Sequence, residues 1–167
     1  MNDFPELQNT PIDARDCRGL AEFYKELLGL RYREGDEPPA QPDEDYADWL
    51  VLVTESGQRV LAIQEKVDTR PPTWPSEEVP LQMHMDFRVP SVEALERHRA
   101  RAEALGARII LDRSGDRDEL LIVMADPLGT PSACSSNSDG ARKIFAAEAP
   151  NASCGVVVLE SAPTAYA

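Results

Sequence analysis

The first regular pattern of apolar residues along the chain is that of an amphipathic helix over Arg18–Leu28. Apolar side chains recur there at helical spacing, at Leu20, Phe23, Tyr24, Leu27 and Leu28. Asp16 is placed to cap the helix N-terminus and Gly29 to end the helix. The segment 36–45, rich in proline and acidic residues, predicts a loop.

Apolar runs after this loop predict strands and a second helix. The predicted strands are Trp49–Thr54, Arg59–Gln64, Leu81–Val89, Ala107–Asp112 and Glu119–Ala125. The predicted helix covers Val92–Leu105 and ends at Gly106. In the first of these strands, alternation places Trp49, Val51 and Val53 on one face and Leu50 and Leu52 on the other. Both faces are apolar, as in a sheet that is covered on both sides.

The two halves of the chain have the same order of elements. Gly29-Leu30-Arg31-Tyr32 corresponds to Gly106-Ala107-Arg108-Ile109, and each segment follows a helix and precedes a hairpin. This order predicts an α+β domain of two tandem βαβββ modules, at about residues 7–66 and 81–135, joined by a connector over 67–80. The alternative is an arbitrary α+β domain in which the two Leu–Gly helix ends coincide.

The net charge, the lengths of the apolar runs and the cysteine count limit the partners and the location that the protein can have. The net charge of -13 argues against nucleic acid, which requires clustered Lys and Arg. No apolar run approaches the length of a membrane span, and residues 1–16 do not read as a signal peptide. Cys17, Cys134 and Cys154 show no metal-type spacing, and an odd number of cysteines suits a reducing compartment. The cytoplasm is therefore the expected location.

Several motifs, taken in order, resemble one known family. They are Ile12-Asp13-Ala14, Leu20-Ala21-Glu22-Phe23-Tyr24, Leu27-Leu28-Gly29, Arg70-Pro71-Pro72-Thr73-Trp74-Pro75, Gln82-Met83-His84-Met85-Asp86, Ala104-Leu105-Gly106-Ala107 and Ala125-Asp126-Pro127-Leu128-Gly129. Over about residues 7–131 the chain resembles the glyoxalase-like branch of the glyoxalase/bleomycin-resistance/extradiol-dioxygenase superfamily, also called the vicinal oxygen chelate superfamily.

The resemblance implies two curved sheets around an open cleft, with the helices on their outer faces, and a homodimer is common for this fold. In active members a divalent metal in the cleft is chelated by adjacent oxygens of the substrate. The ligand positions, on the first and last strand of each module, fall at Asn9, about Gln64, His84 and about Ala133. His84 is a good ligand, Asn9 and Gln64 are weak oxygen donors, and Ala133 is none. The metal site is therefore expected to be incomplete, and no cofactor is assigned.

His84 is the leading candidate for chemistry. Strand alternation puts His84, Asp86 and Arg88 on one face, directed into the cleft, and Met83, Met85 and Phe87 on the other, against the helices. His84 would then act as an acid, a base or a ligand contact, with Asp86 beside it. The alternative is a histidine that is hydrogen-bonded within the sheet and only orients backbone or loop.

Other candidate residues have two interpretations each. Trp74 is either part of a stiff lid that lines an apolar ligand pocket or a plug between the two modules, and the plug is favoured. Trp49 raises the same question, with packing in the core favoured. Gln64 and Arg88 are further expected ligand contacts. Cys17 lies near a helix N-terminus, which predicts a lowered thiol pKa.

The chain changes character after Gly129. A final apolar strand is expected there, but residues 130–140 read as coil, so the last strand of the second module is doubtful. A one-nucleotide slip in the reading frame would explain residues 130–167, because restoring it gives Gly-His-Pro-Phe-Cys-Leu after Leu128. Residues 136–167 are then an atypical tail, in which 155–160 is a β-like run that could supply a replacement strand.

Three classes of function follow. The first is a small-molecule-binding protein, including the drug-sequestering type. The second is an enzyme that uses His84 without a metal. The third is a metal-dependent lyase, isomerase or dioxygenase, which the incomplete ligand set argues against. Binding of a small molecule in the cleft is the preferred interpretation.

Overall fold

The computed structural model describes residues 4–116 and 120–136, which form two four-stranded mixed sheets with one helix on each. The first half contains β1 (Thr10–Ala14), α1 (Cys17–Leu28), β2 (Arg31–Tyr32), β3 (Trp49–Val53) and β4 (Arg59–Glu65). The second contains β5 (Met85–Arg88), α2 (Val92–Ala104), β6 (Arg108–Asp112), β7 (Leu121–Ala125) and β8 (Pro131–Ser135). None of the helices described is long and apolar enough to span a membrane.

The two sheets have the same topology. Their strand orders are β1-β4-β3-β2 and β5-β8-β7-β6. The first strand of each half runs parallel to the last strand, and the other neighbours are antiparallel. The predicted α+β fold of two tandem βαβββ modules is therefore confirmed.

Helix α1 begins and ends where its sequence predicts. The Oδ1 atom of Asp16 accepts a hydrogen bond of 2.8 Å from the backbone N–H of Gly19, which satisfies a free donor of the first turn. Gly29 adopts a left-handed conformation at φ 66°, and its N–H bonds to the carbonyl of Lys25. These caps fix the direction in which the chain enters and leaves the helix.

One apolar core spans both halves. Both helices and one face of each sheet contribute to it, with Leu20, Tyr24, Leu52, Leu95, Ile122 and Cys134 among its buried residues. The opposite face of each sheet, here called the helix-free face, carries a separate apolar cluster. That cluster is Val51, Val53 and Ala62 on the first sheet and Leu121, Val123 and Ala133 on the second. The predicted apolar character of both faces of β3 is confirmed.

The expectation of coil after Gly129 is wrong for β8. All five residues of β8 are buried, and the strand lies between β5 and β7, so it is an inner strand of the second sheet. Tertiary context overrides the weak β propensity of these small residues, because the strand pairs with a neighbour on each side and all of its residues are buried. The reading-frame slip stays a hypothesis, and residues 137–167, including the β-like run at 155–160, lie outside the described residues.

Strand β5 is shorter than predicted, because regular pairing starts at Met85 rather than at Leu81. Met85 and Phe87 pack against the core as expected. Met83 precedes the strand and is 55% exposed, so its expected packing against the helices is wrong. Without pairing to a neighbouring strand, residues 81–84 are not held to strict alternation.

A buried hydrogen bond joins the two halves. The hydroxyl of Tyr24 in α1 donates to Oδ2 of Asp126, which follows β7, over 2.9 Å. Oδ1 of Asp126 accepts 2.9 Å bonds from the N–H groups of Leu128 and Thr130. Burial raises the pKa of Asp126 in spite of these donors, and it also raises the pKa of Tyr24. The hydrogen bond thus joins the motif that ends at Tyr24 to the motif that contains Asp126.

His98 in α2 gives the fold a dependence on pH. Its Nε2 atom is buried and has no hydrogen-bond partner in the part of the chain that is described, and the ring lies 6.1 Å from that of Phe87. Burial, with a smaller contribution from Arg101, lowers the pKa of His98 below its ordinary value of 6.5. A histidine with a depressed pKa favours the folded state above 6.5, and this contribution is lost as the pH falls through the folded pKa.

We therefore expect the free energy of unfolding to decrease as the pH is lowered from about 8 to about 5. In the His98→Leu variant this decrease should be smaller. Urea titrations at a series of pH values measure it. His84→Gln serves as the background, so that no other histidine of the chain titrates in the experiment. Equal pH slopes in the presence and absence of His98 would contradict the expectation.

Candidate functional site

The helix-free face of the second sheet combines an apolar surface with polar groups at its edge. Asp86 of the edge strand β5 pairs with Ala133 of β8, and Ala133 pairs with Val123 of β7, so the three residues form a row across the sheet. Ala133 and Val123 belong to the apolar cluster of this face, and Trp74 from the connector packs against it together with Ile110 and Leu111. The row therefore changes from a charged edge to an apolar surface covered by an indole.

His84 and Asp86 form a close pair at this edge. The Nε2 atom of His84 lies 3.4 Å from Oδ1 of Asp86, and their side chains are 13% and 33% exposed. A carboxylate beside an imidazole can orient the ring through a hydrogen bond. Arg88 lies two residues further along β5 and is exposed. The structure thus brings together His84 and Asp86, as their spacing predicts.

The connector approaches the second sheet at Pro71 and closes on itself around Trp74. A Cβ atom built on Gly129 would lie 2.8 Å from Cβ of Pro71, so the connector passes directly over the turn before β8. Thr73 and Val79 close a loop, with bonds of 3.0 Å from the N–H of Thr73 to the Val79 carbonyl and 2.9 Å from the N–H of Val79 to Oγ1 of Thr73. Trp74 lies within this closed loop. Its position is therefore fixed by the fold.

The other predicted contacts, Trp49 and Gln64, lie on the first sheet. They are paired directly across β3 and β4, and Gln64 pairs in turn with Asp13 of β1. The favoured interpretation of Trp49 as a core residue is wrong, because it is 38% exposed at the start of an inner strand. Its neighbours in the row across the helix-free face are the polar residues Gln64 and Asp13, and they leave the indole partly uncovered. The sequence analysis did not predict Asp13 on this face. Its alternation with Ile12 and Ala14, which pack in the core, would have placed its side chain on the helix-free face.

The four expected metal-ligand positions do not supply a metal site. Asn9 and Gln64 offer neutral amide oxygens, His84 offers one imidazole, and Ala133 has no donor atom. Within residues 4–116 and 120–136, no group of three His, Cys, Asp or Glu side chains is placed to hold a metal ion. The residues present do not fit the divalent metal of the superfamily, so no chemical step is derived through one.

A separate cavity of about 450 Å³ lies at the N-terminal end of α1. Its lining combines prolines of the acidic loop with charged groups that include Arg18, Asp45 and Glu65. The guanidinium of Arg18 donates to Oδ2 of Asp45 over 2.7 Å, and this bond lowers the pKa of Asp45. None of the residues predicted for the ligand site lines this cavity. The ion pair joins residues 27 positions apart, so no local pattern could have indicated it.

The prediction of a lowered thiol pKa at Cys17 is wrong. Burial raises the pKa of Cys17 to about 11, and its sulfur donates a hydrogen bond of 3.3 Å to the carbonyl of Ile63. The neighbouring helix N-terminus and Arg18 do not offset the loss of solvation. Burial likewise raises the pKa of Cys134 to about 12. Both described thiols belong to the core.

Native Cys17 and Cys134 should accordingly react with a disulfide reagent such as DTNB at least about a hundredfold more slowly than in the unfolded chain. Absorbance stopped-flow on a Cys154→Ser variant measures the two rates, because Cys154 lies outside the described residues. Rapid labelling of one thiol in native buffer would show an accessible thiolate and contradict the burial of these residues.

Comparisons with known proteins agree with this fold. The glyoxalase-like domain family matches residues 9–133. No curated protein matches the chain in sequence. Among solved structures, a glyoxalase/bleomycin resistance protein/dioxygenase family enzyme from Burkholderia phytofirmans is 18% identical, with a TM-score of 0.56 over 79% of this chain and 98% of that one.

Two further structures share the fold. The genomically encoded fosfomycin resistance protein FosX from Listeria monocytogenes is 13% identical, with a TM-score of 0.58 over 81% of this chain and 93% of that one. A variant of FosX was solved in complex with Mn(II) and a dihydroxypropylphosphonic acid. An integron cassette protein from the mobile metagenome of the Halifax Harbour sewage outfall is 18% identical, with a TM-score of 0.51 over 80% and 100% of the two chains. The chain belongs to the glyoxalase-like domain family.

Proposed function

We propose that the protein binds a small organic molecule on the helix-free face of its second sheet, between Trp74 and the pair of His84 and Asp86. The observation that carries the proposal is the row from Asp86 through Ala133 to Val123, which joins a polar pair to an apolar surface under an indole. Small-molecule sites are mostly apolar and have a few polar groups that fix orientation. Arg88 on the same strand would add a charge for an anionic substituent.

A ligand screen by thermal shift tests this proposal. Aromatic and aliphatic acids, amines and phosphonates are suitable probes, and a compound at about 100 times its Kd should stabilise the fold by about 2.7 kcal/mol. For any stabilising compound, Trp74→Ala and His84→Gln should each weaken binding about tenfold, because stacking and a hydrogen bond are lost. Tyr46→Ala removes an aromatic ring that is 85% exposed on the acidic loop and serves as the control.

The outcome distinguishes this face from other locations. A compound whose Kd is unchanged in both Trp74→Ala and His84→Gln binds elsewhere, and the cavity at the N-terminal end of α1 is then the next place to test. A Kd that rises equally in Tyr46→Ala would point to binding in that cavity, whose lining includes the neighbouring Asp45 and Ala47, and would contradict the proposed face.

A second candidate function is acid–base catalysis by His84 without a metal. The 3.4 Å approach of Asp86 to Nε2 supports it, because a neighbouring carboxylate can orient an imidazole for proton transfer. His84→Gln should then abolish turnover of a compound found in the screen while Kd changes by no more than about tenfold. Equal turnover by this variant and the unsubstituted protein would leave only binding.

Homodimer formation stays a prediction from the family resemblance. Light scattering coupled to size-exclusion chromatography measures it directly. A mass of 18.4 kDa for the eluting species would indicate a monomer.

A further inference from the structure

The position of Ala133 is where this chain departs most from the metal site of its superfamily. Ala133 corresponds to the ligand position on the last strand of the second module, and it lies between Asp86 and Val123 in the row described above. It is only 1% exposed and belongs to the apolar cluster against which Trp74 packs. A longer, charged side chain at this position would therefore point into a space that is already lined by apolar groups.

The residue that packs on this cluster comes from outside the sheet. Trp74 belongs to the connector between the two modules, and the bonds between Thr73 and Val79 close the connector on either side of it. Pro71 fixes the connector against Gly129, four residues before Ala133. The connector thus places the indole against the second sheet, and it contacts the turn at Gly129 that leads into β8.

We infer that Trp74 replaces the metal ligand of the second module, so that this site binds its ligand without a divalent cation. Ala133 has no donor atom, and the indole covers the cluster to which it belongs. A molecule that is held only through two adjacent oxygens on a cation is then a poor ligand. An apolar ring that contacts the indole and carries a polar group directed at His84 and Asp86 is a good one. The preference for such a ligand rests on the proposed binding function, whereas the replacement of the metal ligand by Trp74 does not.

Manganese provides the direct test on the unsubstituted protein. Mn²⁺ is titrated into the full chain and the free ion is followed by electron paramagnetic resonance, with His84→Ala in parallel. We expect no stoichiometric Mn²⁺ binding and no difference between the two proteins. One bound Mn²⁺ per chain that is lost in His84→Ala would overturn the inference.

A set of substitutions tests the part played by Trp74. Ala133→Glu supplies a carboxylate at the missing ligand position, opposite Asp86 on the neighbouring strand, and it is made with Trp74 present and with Trp74→Ala. We expect Mn²⁺ to bind at least about tenfold more tightly when Trp74 is absent, because the carboxylate then reaches the site. Ala133→Gln in place of Ala133→Glu is the matched control and should bind no Mn²⁺. Equal affinity in the presence and absence of Trp74 would refute the replacement.

Thermal unfolding gives a second readout that needs no metal. Ala133→Glu alone should lower the Tm by several degrees, because it places a carboxylate under the indole. Combined with Trp74→Ala, it should lower the Tm by less than the sum of the two single changes, because the carboxylate gains access to water. Additive effects would show that the indole does not cover position 133 and would also overturn the inference.

Discussion

Replacing Asp126 by alanine is expected to lower the free energy of unfolding by about 3 to 5 kcal/mol. The carboxylate accepts from the hydroxyl of Tyr24 and from the N–H groups of Leu128 and Thr130, each over 2.9 Å. Its removal leaves all three donors without an acceptor, and Tyr24 is among the most deeply buried residues of the core. The orphaned hydroxyl of Tyr24 in such a place costs more than the net value of a hydrogen bond, and the part-buried N–H groups of Leu128 and Thr130 add smaller costs.

Matched variants separate this contact from the loss of an ordinary cap. Asp16→Ala removes another aspartate that bonds a backbone N–H, but at an exposed position, and should cost about 1 kcal/mol. Asp126→Asn keeps an acceptor for the turn and avoids a buried charge, so it should cost less than Asp126→Ala. Urea denaturation monitored by circular dichroism measures all three. The contact would be shown to be unimportant if Asp126→Ala proved no more destabilising than Asp16→Ala.

A double-mutant cycle with Tyr24→Phe shows whether the bond joins the two halves energetically. The hydroxyl and the carboxylate interact directly, so the effects of Tyr24→Phe and Asp126→Ala should not add, and a coupling of about 0.5 to 3 kcal/mol is expected. Additivity would mean that the turn after β7 is stabilised by its own backbone bonds alone.

Most of the fold could be predicted from the sequence because its signals are local. The apolar spacing of α1, the cap at Asp16 and the glycine at 29 lie within one continuous segment, and each acts on its immediate neighbours. The repeated order of elements then gave the topology of both sheets. Strand β8 was not predictable in this way, because its small residues are held in place by β5 and β7 rather than by their own propensity.

The candidate site was predictable only in part, for the same reason. His84 and Asp86 are two positions apart in the sequence, and this short separation keeps them close although His84 lies just outside β5. The contact of Trp74 with the second sheet depends on the path of the whole connector, which no local pattern specifies. The exposure of Trp49 and the burial of Cys17 likewise depend on which segments pack against them.

Replacing Gly129 by alanine is expected to lower the free energy of unfolding more than the same substitution at Gly35. Gly129 has φ 94°, where an L side chain is strained by about 1 to 3 kcal/mol. The added Cβ would also lie 2.8 Å from Cβ of Pro71, and such overpacking costs about 1 to 3 kcal/mol more. We expect the strain and the overpacking both to lower the free energy of unfolding, which urea denaturation measures.

Gly35→Ala is the control for the backbone term. Gly35 has φ 90°, close to that of Gly129, but a Cβ atom there meets nothing within 4 Å. The difference between the two alanine variants therefore isolates the contact with the connector. Pro71→Gly removes the opposing Cβ and should recover much of this difference when it is combined with Gly129→Ala. No recovery would mean that the loss comes from backbone strain at Gly129 alone.

The same substitution also reports on the position of Trp74, because Pro71 and the indole belong to one connector. In a Trp49→Phe background the fluorescence comes from Trp74, the other of the two tryptophans of the chain. Gly129→Ala should shift its emission to longer wavelength, since displacement of Pro71 lifts the indole from Leu121, Val123 and Ala133 towards water. Gly35→Ala should leave the emission unchanged. If Gly129→Ala destabilised the fold without moving this emission, the anchor at Pro71 and the packing of Trp74 would be independent, and the connector would not act as one rigid piece.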